Sequence, residues 1–167
     1  MKTWIPKFLS TIVTGLLAGA FVYGLFNVVP TFYEVPVDVH LAYRTQLMNH
    51  NSTTMQFLML ASIITPSWYA IVYRHRRSVM YFSFLSAILA LTSLLVTRFG
   101  NVPINQLIRT WPVNHPPASW TVLLHKWDQY NLIRSMAAVG SFISFITAAH
   151  WAFLEDIRSI KAIVAQR

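Results

Sequence analysis

The 167-residue chain lacks cysteine altogether and carries little charge, with five Asp and Glu against thirteen Lys and Arg, or 11% of its residues. Without cysteine, disulfide bonds and thiolate sites for metals or catalysis are excluded. Because a soluble domain is about 25% charged, this low value and the 55% hydrophobic content indicate an integral membrane protein. The length is typical of one domain.

Four apolar segments approach the roughly 20 residues that a membrane-spanning helix needs. They are residues 8–29, 53–73, 79–97 and 132–154. The first follows two lysines as a signal peptide would, but its apolar run continues to Val29, which favours an uncleaved span. We therefore predict a single domain with an all-α fold, an integral membrane four-helix bundle. Helical extramembrane segments are expected between spans 1 and 2 and between spans 3 and 4.

Basic residues predict the orientation of these spans. Eight of them would lie on one side of the membrane: Lys2, Lys7, Arg74, Arg76, Arg77, Arg158, Lys161 and Arg167. Loop one, between spans 1 and 2, has only Arg44, and loop three has three basic residues. We expect both termini to be cytoplasmic and loops one and three to lie together on the opposite side. The net charge of +8 then reflects orientation, and nucleic-acid binding is not expected.

Small residues recur at helical spacing in the last two spans. They are Ser83, Ala87, Ala90 and Thr97 in the third span, and Ala137, Ser141, Ser144 and Ala148 in the fourth. Small side chains allow close helix contact in lipid. We predict that these faces pack together, within one chain or in an oligomer.

Loop one, residues 30–52, begins with Pro30 and Pro36, which favour extended chain. Asp38 is then a candidate N-cap for a helix that runs into the second span.

Loop three, residues 98–131, is longer than most connections without a function. It contains the segment NVPINQ at Asn101–Gln106, a proline-rich break at Pro112–Pro117, and a helix expected to begin after Ser119. Four residues of that helix share one face in the pattern W-x6-W-x3-N-x2-R. They are Trp120, Trp127, Asn131 and Arg134.

Arg134 is the sharpest functional candidate, because an arginine inside a membrane helix is energetically unfavourable. One interpretation is that its side chain extends back to the membrane interface. The other is that it faces inward beside Asn131 and Trp127. An inward Arg134, with Asn101 and Asn105 near it, would stabilise an anion or enolate.

The segment NVPINQ, followed by W-x6-W-x3-N-x2-R between the third and fourth spans, resembles the anthrone oxygenase-like family. The resemblance implies a small four-helix protein in the lipid bilayer that oxidises a hydrophobic polyketide anthrone to an anthraquinone with molecular oxygen. Carried over by position, its motif residues are Asn101, Pro103, Asn105, Trp120, Trp127, Asn131 and Arg134. The segment Trp111–Pro117 is an insert relative to the pattern, which either alters the cavity mouth or lengthens a surface turn.

A deprotonated anthrone is an electron-rich carbanion that can react with oxygen directly, so the protein would supply a base, an anion stabiliser and an aromatic pocket. The predicted catalytic residues are Arg134, Asn101, Asn105 and His50, the last as the base. The predicted substrate-binding residues are Trp120, Trp127 and Asn131. For the tryptophans, anchoring at the membrane interface is the alternative interpretation.

Two other functions remain open. One is a copper or iron site, for which the weak candidate ligands are His40, His50, His115 and His125. No pair of these has close ligand spacing, and the sequence requires no cofactor. The other is a non-enzymatic scaffold or accessory subunit, in a homo-oligomer or with a partner subunit, although a scaffold would not need asparagines and an arginine near the membrane surface. A transporter is disfavoured, because four spans leave little room for an inverted repeat.

Overall fold

A computed structural model describes residues 4–166, and regular secondary structure over that range is entirely helical. The long helices are α1 (Trp4–Tyr33), α2 (Val37–Val72), α3 (Arg77–Ile108) and α4 (Trp120–Ala165). Each is long and apolar enough to cross a membrane, as in a multi-pass membrane protein. The predicted all-α membrane fold is therefore confirmed. Lys2 and Arg167, which enter the orientation prediction, lie outside the described residues.

The helices extend beyond the apolar segments at one end of the bundle in particular. α2 begins at Val37, well before residues 53–73, and α4 begins at Trp120, well before residues 132–154. These extensions are the helical segments expected in loops one and three. They bring polar residues onto the same rigid helices that carry the apolar spans.

Each helix packs along its neighbours in the chain, and α1 also packs against α4, which closes a four-helix bundle. Small residues line a contact of α3 with α4, where the Ser141 hydroxyl donates to the Ser86 carbonyl oxygen at 2.9 Å. Of the predicted small-residue faces, all members are buried except Thr97, which is partly buried. These faces therefore pack within the chain.

The buried apolar side chains form three clusters along the bundle. One, at the end where α1 and α3 finish, contains Leu41, Ile104, Ile108, Leu124 and Trp127. A central one contains Leu17, Phe21, Met59 and Ala138. The third, at the opposite end, contains Tyr69, Val79, Phe145, Ala149 and Ala152. Polar groups enter the bundle mainly beside the first cluster.

Two helices widen at that same end. α1 contains a π-helical segment at Gly24–Val28, and α3 contains one at Thr97–Asn101. Pro30 and Pro103 are each the second residue after such a segment. A π-helical turn interrupts the i to i−4 ladder, where a proline ring would otherwise clash. Both prolines therefore remain helical, and the prediction of extended chain at Pro30 was wrong.

The starts of α2 and α4 also differ in part from expectation. Pro36 is extended, as predicted, with φ −54° and ψ 147°, and it occupies the N-cap position of α2. Asp38 is therefore inside the helix, where its carboxylate is near the positive end of the helix dipole. Ser119 occupies the N-cap position of α4 as predicted, although its side chain makes no capping hydrogen bond.

Candidate functional site

Polar side chains from all four helices meet at the end where α1 and α3 finish and α2 and α4 begin; we call it the site end. The residues concerned, named here the polar cluster, are Tyr33, His40, Arg44, Thr97, Asn101, Asn105, Trp127, Asp128, Asn131 and Arg134. They come from sequence positions far apart, so only the folded bundle brings them into contact.

The approach of α3 to α4 at the site end depends on Gly100. A Cβ atom there would lie 2.6 Å from Cγ of Tyr130, so a larger residue would have to displace that ring. Gly100 belongs to the π-helical segment of α3, and the next residue, Asn101, is completely buried. The close approach thus delivers the Asn101 carboxamide to α4.

Trp127 is held at both its backbone and its ring. The Asn101 Nδ2 group donates to the Trp127 carbonyl oxygen at 3.0 Å, and the indole Nε1 donates to Asn105 Oδ1 at 2.7 Å. A buried indole N–H normally needs such a partner. Both asparagines of NVPINQ therefore fix the orientation of one tryptophan ring.

Arg134 points into the bundle rather than back to the interface. Its Nε and Nη2 groups donate to Asn131 Oδ1 at 3.0 and 2.8 Å, and Nη1 is 3.5 Å from the Thr97 hydroxyl. The guanidinium carbon lies 4.7 Å from the ring centroid of Phe21 and 5.2 Å from that of Trp127. Polar contacts on one edge and aromatic faces beside it hold the charge in place.

A second arginine, Arg44 of α2, lies against the same tryptophan. Its side chain is 2% exposed, and its guanidinium carbon is 4.1 Å from the Trp127 ring centroid. Nη1 donates to His40 Nε2 at 3.1 Å, while Asp128 Oδ1 lies 3.9 Å from Nη2. Burial lowers the pKa of Arg44, and the nearby Asp128 charge opposes that shift.

Asp128 joins this arginine to the rim of the bundle. The Tyr33 hydroxyl donates to Asp128 Oδ2, and burial together with this hydrogen bond raises the pKa of Tyr33. Burial, reinforced by the positive charge of Arg44, lowers the pKa of His40 to about 4. His40 is therefore neutral at pH 7, and its Nε2 lone pair is used in accepting the hydrogen bond from Arg44.

The polar cluster is positively charged and incompletely paired. It contains two guanidinium groups and one carboxylate, and that carboxylate, Asp128, lies 3.9 Å from Arg44. Five of its buried polar atoms have no hydrogen-bond partner among residues 4–166: Arg44 Nε, Arg44 Nη2, Asn101 Oδ1, Asp128 Oδ1 and Asn131 Nδ2. Because buried polar atoms are nearly always paired, such a concentration of free donors and acceptors is typical of a binding site. Its charge favours an anionic ligand.

The predicted site residues fall into two groups. Asn101, Asn105, Trp127, Asn131 and Arg134 come together in the polar cluster. Trp120 lies at the margin, with its ring centroid 6.3 Å from that of His40. His50 is exposed and lies about 120° around α2 from Arg44, by the rotation of 100° per residue. The structure therefore does not bring His50 to the others.

The candidate metal ligands do not converge. His40 is buried beside Arg44, His125 stacks on the exposed side of Tyr33, and His50 and His115 are exposed. Over the described part of the chain, no three His, Asp or Glu side chains are grouped closely enough to hold a metal ion. In the insert, Trp111 packs against the apolar cluster of the site end, while Val113, Asn114 and His115 are exposed.

Four members of the polar cluster were not predicted as site residues from sequence: Arg44, Asp128, Tyr33 and Thr97, the last of which was expected only to pack between helices. Arg44 was assigned to a loop, where a basic residue is ordinary. A signal was nevertheless present, since Arg44 is the only basic residue of loop one and lies one helical turn from His40. Asp128 and Tyr33 carried no such signal, because their pairing links residues 95 positions apart.

The model of the anthrone oxygenase family matches residues 45–144. This range contains all seven residues predicted to be catalytic or substrate-binding, and it begins one residue after Arg44. The resemblance found in loop three is thereby confirmed at the level of the family. No curated protein and no solved structure matches the chain.

Proposed function

Because the chain belongs to the anthrone oxygenase family, we propose that it oxidises a hydrophobic anthrone-like aromatic ketone with molecular oxygen inside the membrane. The observation that carries this proposal is the placement of two guanidinium groups, those of Arg44 and Arg134, against the ring of Trp127. Aromatic surface and positive charge in one buried place suit a flat substrate that becomes negatively charged during the reaction.

The negative charge of such a substrate develops on an enolate oxygen when its methylene group loses a proton. Donors fixed before the reaction stabilise that oxygen without reorganising. Asn131 holds Arg134 in position, and Asn131 Nδ2 and Arg44 Nε remain free to donate. The rings of Phe21 and Trp127, which the guanidinium groups contact, make the surroundings of these donors aromatic.

The overall reaction balances without a further reductant. The methylene group of the ketone loses two hydrogens and gains one oxygen atom, and the second oxygen atom leaves as water. The electron-rich enolate carbon supplies electrons to oxygen, so the proposal needs no cofactor. The role of the protein is to stabilise the enolate and to hold it in an apolar space that oxygen reaches through lipid.

We also propose that the site end lies on the non-cytoplasmic side of the membrane. Arg74, Arg76 and Arg77 lie at the opposite end of the bundle, where α2 connects to α3. Positive residues favour the cytoplasmic side of a membrane. An open groove of about 570 Å³, lined in part by Leu41, Ile108 and Trp111, lies beside the site end. It would let an apolar substrate bind against Leu41 and Ile108 at the site end.

The test is the aerobic conversion of anthrone to anthraquinone by the purified protein in detergent. Arg134→Ala should reduce the rate about 100-fold or more, the usual effect of removing one donor to a developing oxyanion. Arg98→Ala, an exposed arginine at the same end, is the control and should keep the wild-type rate. Unchanged oxidation by Arg134→Ala would refute the role of this residue. A wild-type protein that does not accelerate the reaction would refute the proposed function.

A further inference from the structure

Removal of the methylene proton is the one step above that has no residue assigned to it. His50 is exposed and distant from Arg44 around α2, and His40 already accepts a hydrogen bond from Arg44. We propose that Asp128 is the base, and that the protein therefore catalyses hydrogen exchange at the methylene carbon even without oxygen. This inference rests on the function proposed above.

The two oxygens of Asp128 have different surroundings. Oδ2 accepts the hydrogen bond from Tyr33, which fixes the carboxylate. Oδ1 is buried, has no hydrogen-bond partner among the described residues and lies 3.9 Å from Arg44 Nη2. One oxygen is thus used for positioning, while the other keeps its lone pairs free beside a positive charge. That is the arrangement required of a carboxylate that accepts a proton from a bound molecule.

The position of Asp128 suits the movement of a proton into and out of the cluster. Arg44 links Asp128 to the Trp127 ring, because the guanidinium group of Arg44 lies 3.9 Å from Asp128 Oδ1 and 4.1 Å from the ring centroid. The Asp128 side chain is 25% exposed, whereas that of Arg44 is 2% exposed. Asp128 therefore connects the buried arginine to the rim of the bundle, where a proton can exchange with water.

A carboxylate is a weak base, but enolate formation does not require a strong one. In a known isomerase, an aspartate with a pKa of about 4.6 removes a proton next to a ketone because an oxyanion hole stabilises the enolate. Here Arg44 and Arg134 would supply that stabilisation. Arg44 is close to both Asp128 and the Trp127 ring, so the base and the stabilising charge are adjacent.

The proposed step and its reversal are balanced. The C–H bond breaks, its electron pair delocalises into the ketone as the enolate, and Asp128 Oδ1 takes the proton. Without oxygen, the proton returns to carbon, or a solvent proton replaces it. With oxygen, the enolate carbon bonds to O2, the resulting peroxide anion takes the proton from Asp128, and loss of water from the hydroperoxide gives the second carbonyl group.

The experiment follows loss of deuterium from anthrone dideuterated at the methylene carbon, under anaerobic conditions and with the protein in detergent. The wild type should accelerate exchange with solvent, and Asp128→Asn should reduce that acceleration about 100-fold. Asp38→Asn, which makes the same change at an exposed carboxylate on α2, should exchange at the wild-type rate. Asp128→Ala should regain exchange when formate is added, which a purely structural role would not predict.

The failures of the two proposals are distinguishable. Exchange at the wild-type rate in Asp128→Asn would overturn the assignment of the base. A wild type that oxidises anthrone but does not accelerate anaerobic exchange would also overturn it, and would leave the proposed function standing. A wild type that accelerates neither reaction would overturn the proposed function and this inference with it. If Asp128→Asn does not fold, the formate measurement on Asp128→Ala decides the matter, because absence of rescue in a folded variant counts against the base.

Discussion

Both ends of the bundle carry arginines, but the two ends treat them in opposite ways. At the end opposite the site, Arg76 donates to Asp156 Oδ1 at 2.6 Å and lies 3.5 Å from Glu155 Oε2. At the site end, Arg44 is buried and its closest carboxylate oxygen is 3.9 Å away. Arg76 therefore has two carboxylate partners and access to water, whereas Arg44 has one distant carboxylate, a hydrogen bond to the neutral His40 and almost no access to water.

This difference indicates that the two arginines have different roles, one in stability and one in binding. An ion pair such as that of Arg76 with Asp156 contributes up to about 1 kcal/mol to stability, and it joins the α2–α3 turn to α4. Burying a charge as in Arg44 usually gives no net stability, because lost hydration offsets the attraction between the partners. A buried arginine with unpaired donors is therefore better explained by binding than by folding.

Replacing each arginine with methionine is the most direct test of whether the two arginines have different roles. Arg44→Met should reduce anthrone oxidation about 100-fold, because it removes a donor near the enolate. Its free energy of unfolding should fall by about 1–3 kcal/mol, because methionine leaves the buried Nε2 atom of His40 without its hydrogen-bond donor. Asp128 remains partly exposed and keeps its contact with Tyr33.

Arg76→Met is the matched variant and should differ from Arg44→Met in its activity. Oxidation should be unaffected, and stability should fall by up to about 1 kcal/mol. Rates come from the oxygen-dependent assay and stabilities from thermal unfolding in detergent. Equal losses of activity in the two variants would remove the distinction between the two ends.

The pH dependence of stability is the next test of the site end, because it reports on the buried His40. The pKa of His40 is lowered from 6.5 to about 4 in the folded protein. Between pH 6.5 and about 4, His40 binds a proton in the unfolded chain but stays neutral in the folded protein. The free energy of unfolding therefore falls as the pH drops through this range. The lowered pKa corresponds to a loss of up to about 3 kcal/mol. His40→Gln should remove this part of the decline in the unfolding midpoint.

The control for that measurement is His75→Gln, in the exposed turn at the opposite end. It should retain the wild-type decline between pH 6.5 and 4. The difference between each variant and the wild type is the quantity compared. A His40→Gln protein with an unaltered pH profile would contradict the assignment of a buried, neutral His40.

The smallest expected effect concerns how closely α3 approaches α4 at the site end. Gly100→Ala places a Cβ atom 2.6 Å from the Tyr130 ring, and such overpacking typically destabilises by about 1–3 kcal/mol. Gly19→Ala is the control, because a Cβ atom there meets nothing within 4 Å. It should leave the unfolding midpoint unchanged or raise it slightly, since alanine favours helix over glycine. Equal midpoints for the two variants would show that the close approach at Gly100 is unimportant.

How much the sequence predicts differs between the fold and the functional site. The four helices follow from apolar length, and the faces of α3 and α4 that pack follow from small residues at helical spacing. The continuation of α3 through Pro103 did not follow, because an isolated proline predicts a break. The π-helical segment before it accommodates the proline ring, and that segment has no clear pattern in the sequence.

The site was predictable where its residues share one stretch of chain. Trp127, Asn131 and Arg134 lie on one face of one helix, and their spacing alone places them together. Arg44 and Tyr33 belong to other helices, so their contact with this face depends on how each helix is rotated about its axis. His50 was chosen as base on chemical grounds, and the rotation of α2 directs it away from Arg44.

By itself, the sequence determined that the chain is a membrane bundle of four helices, and it identified Arg134 as an arginine within a span without deciding whether its side chain faces inward. In lipid, backbone groups must be hydrogen-bonded within each span, so length and hydropathy suffice to specify helices. Only the tertiary structure decided that Arg44 joins Arg134 around Trp127, with Asp128 and Tyr33 beside them. The reason is that contacts between distant segments depend on the rotation and local widening of packed helices, which a linear pattern does not encode.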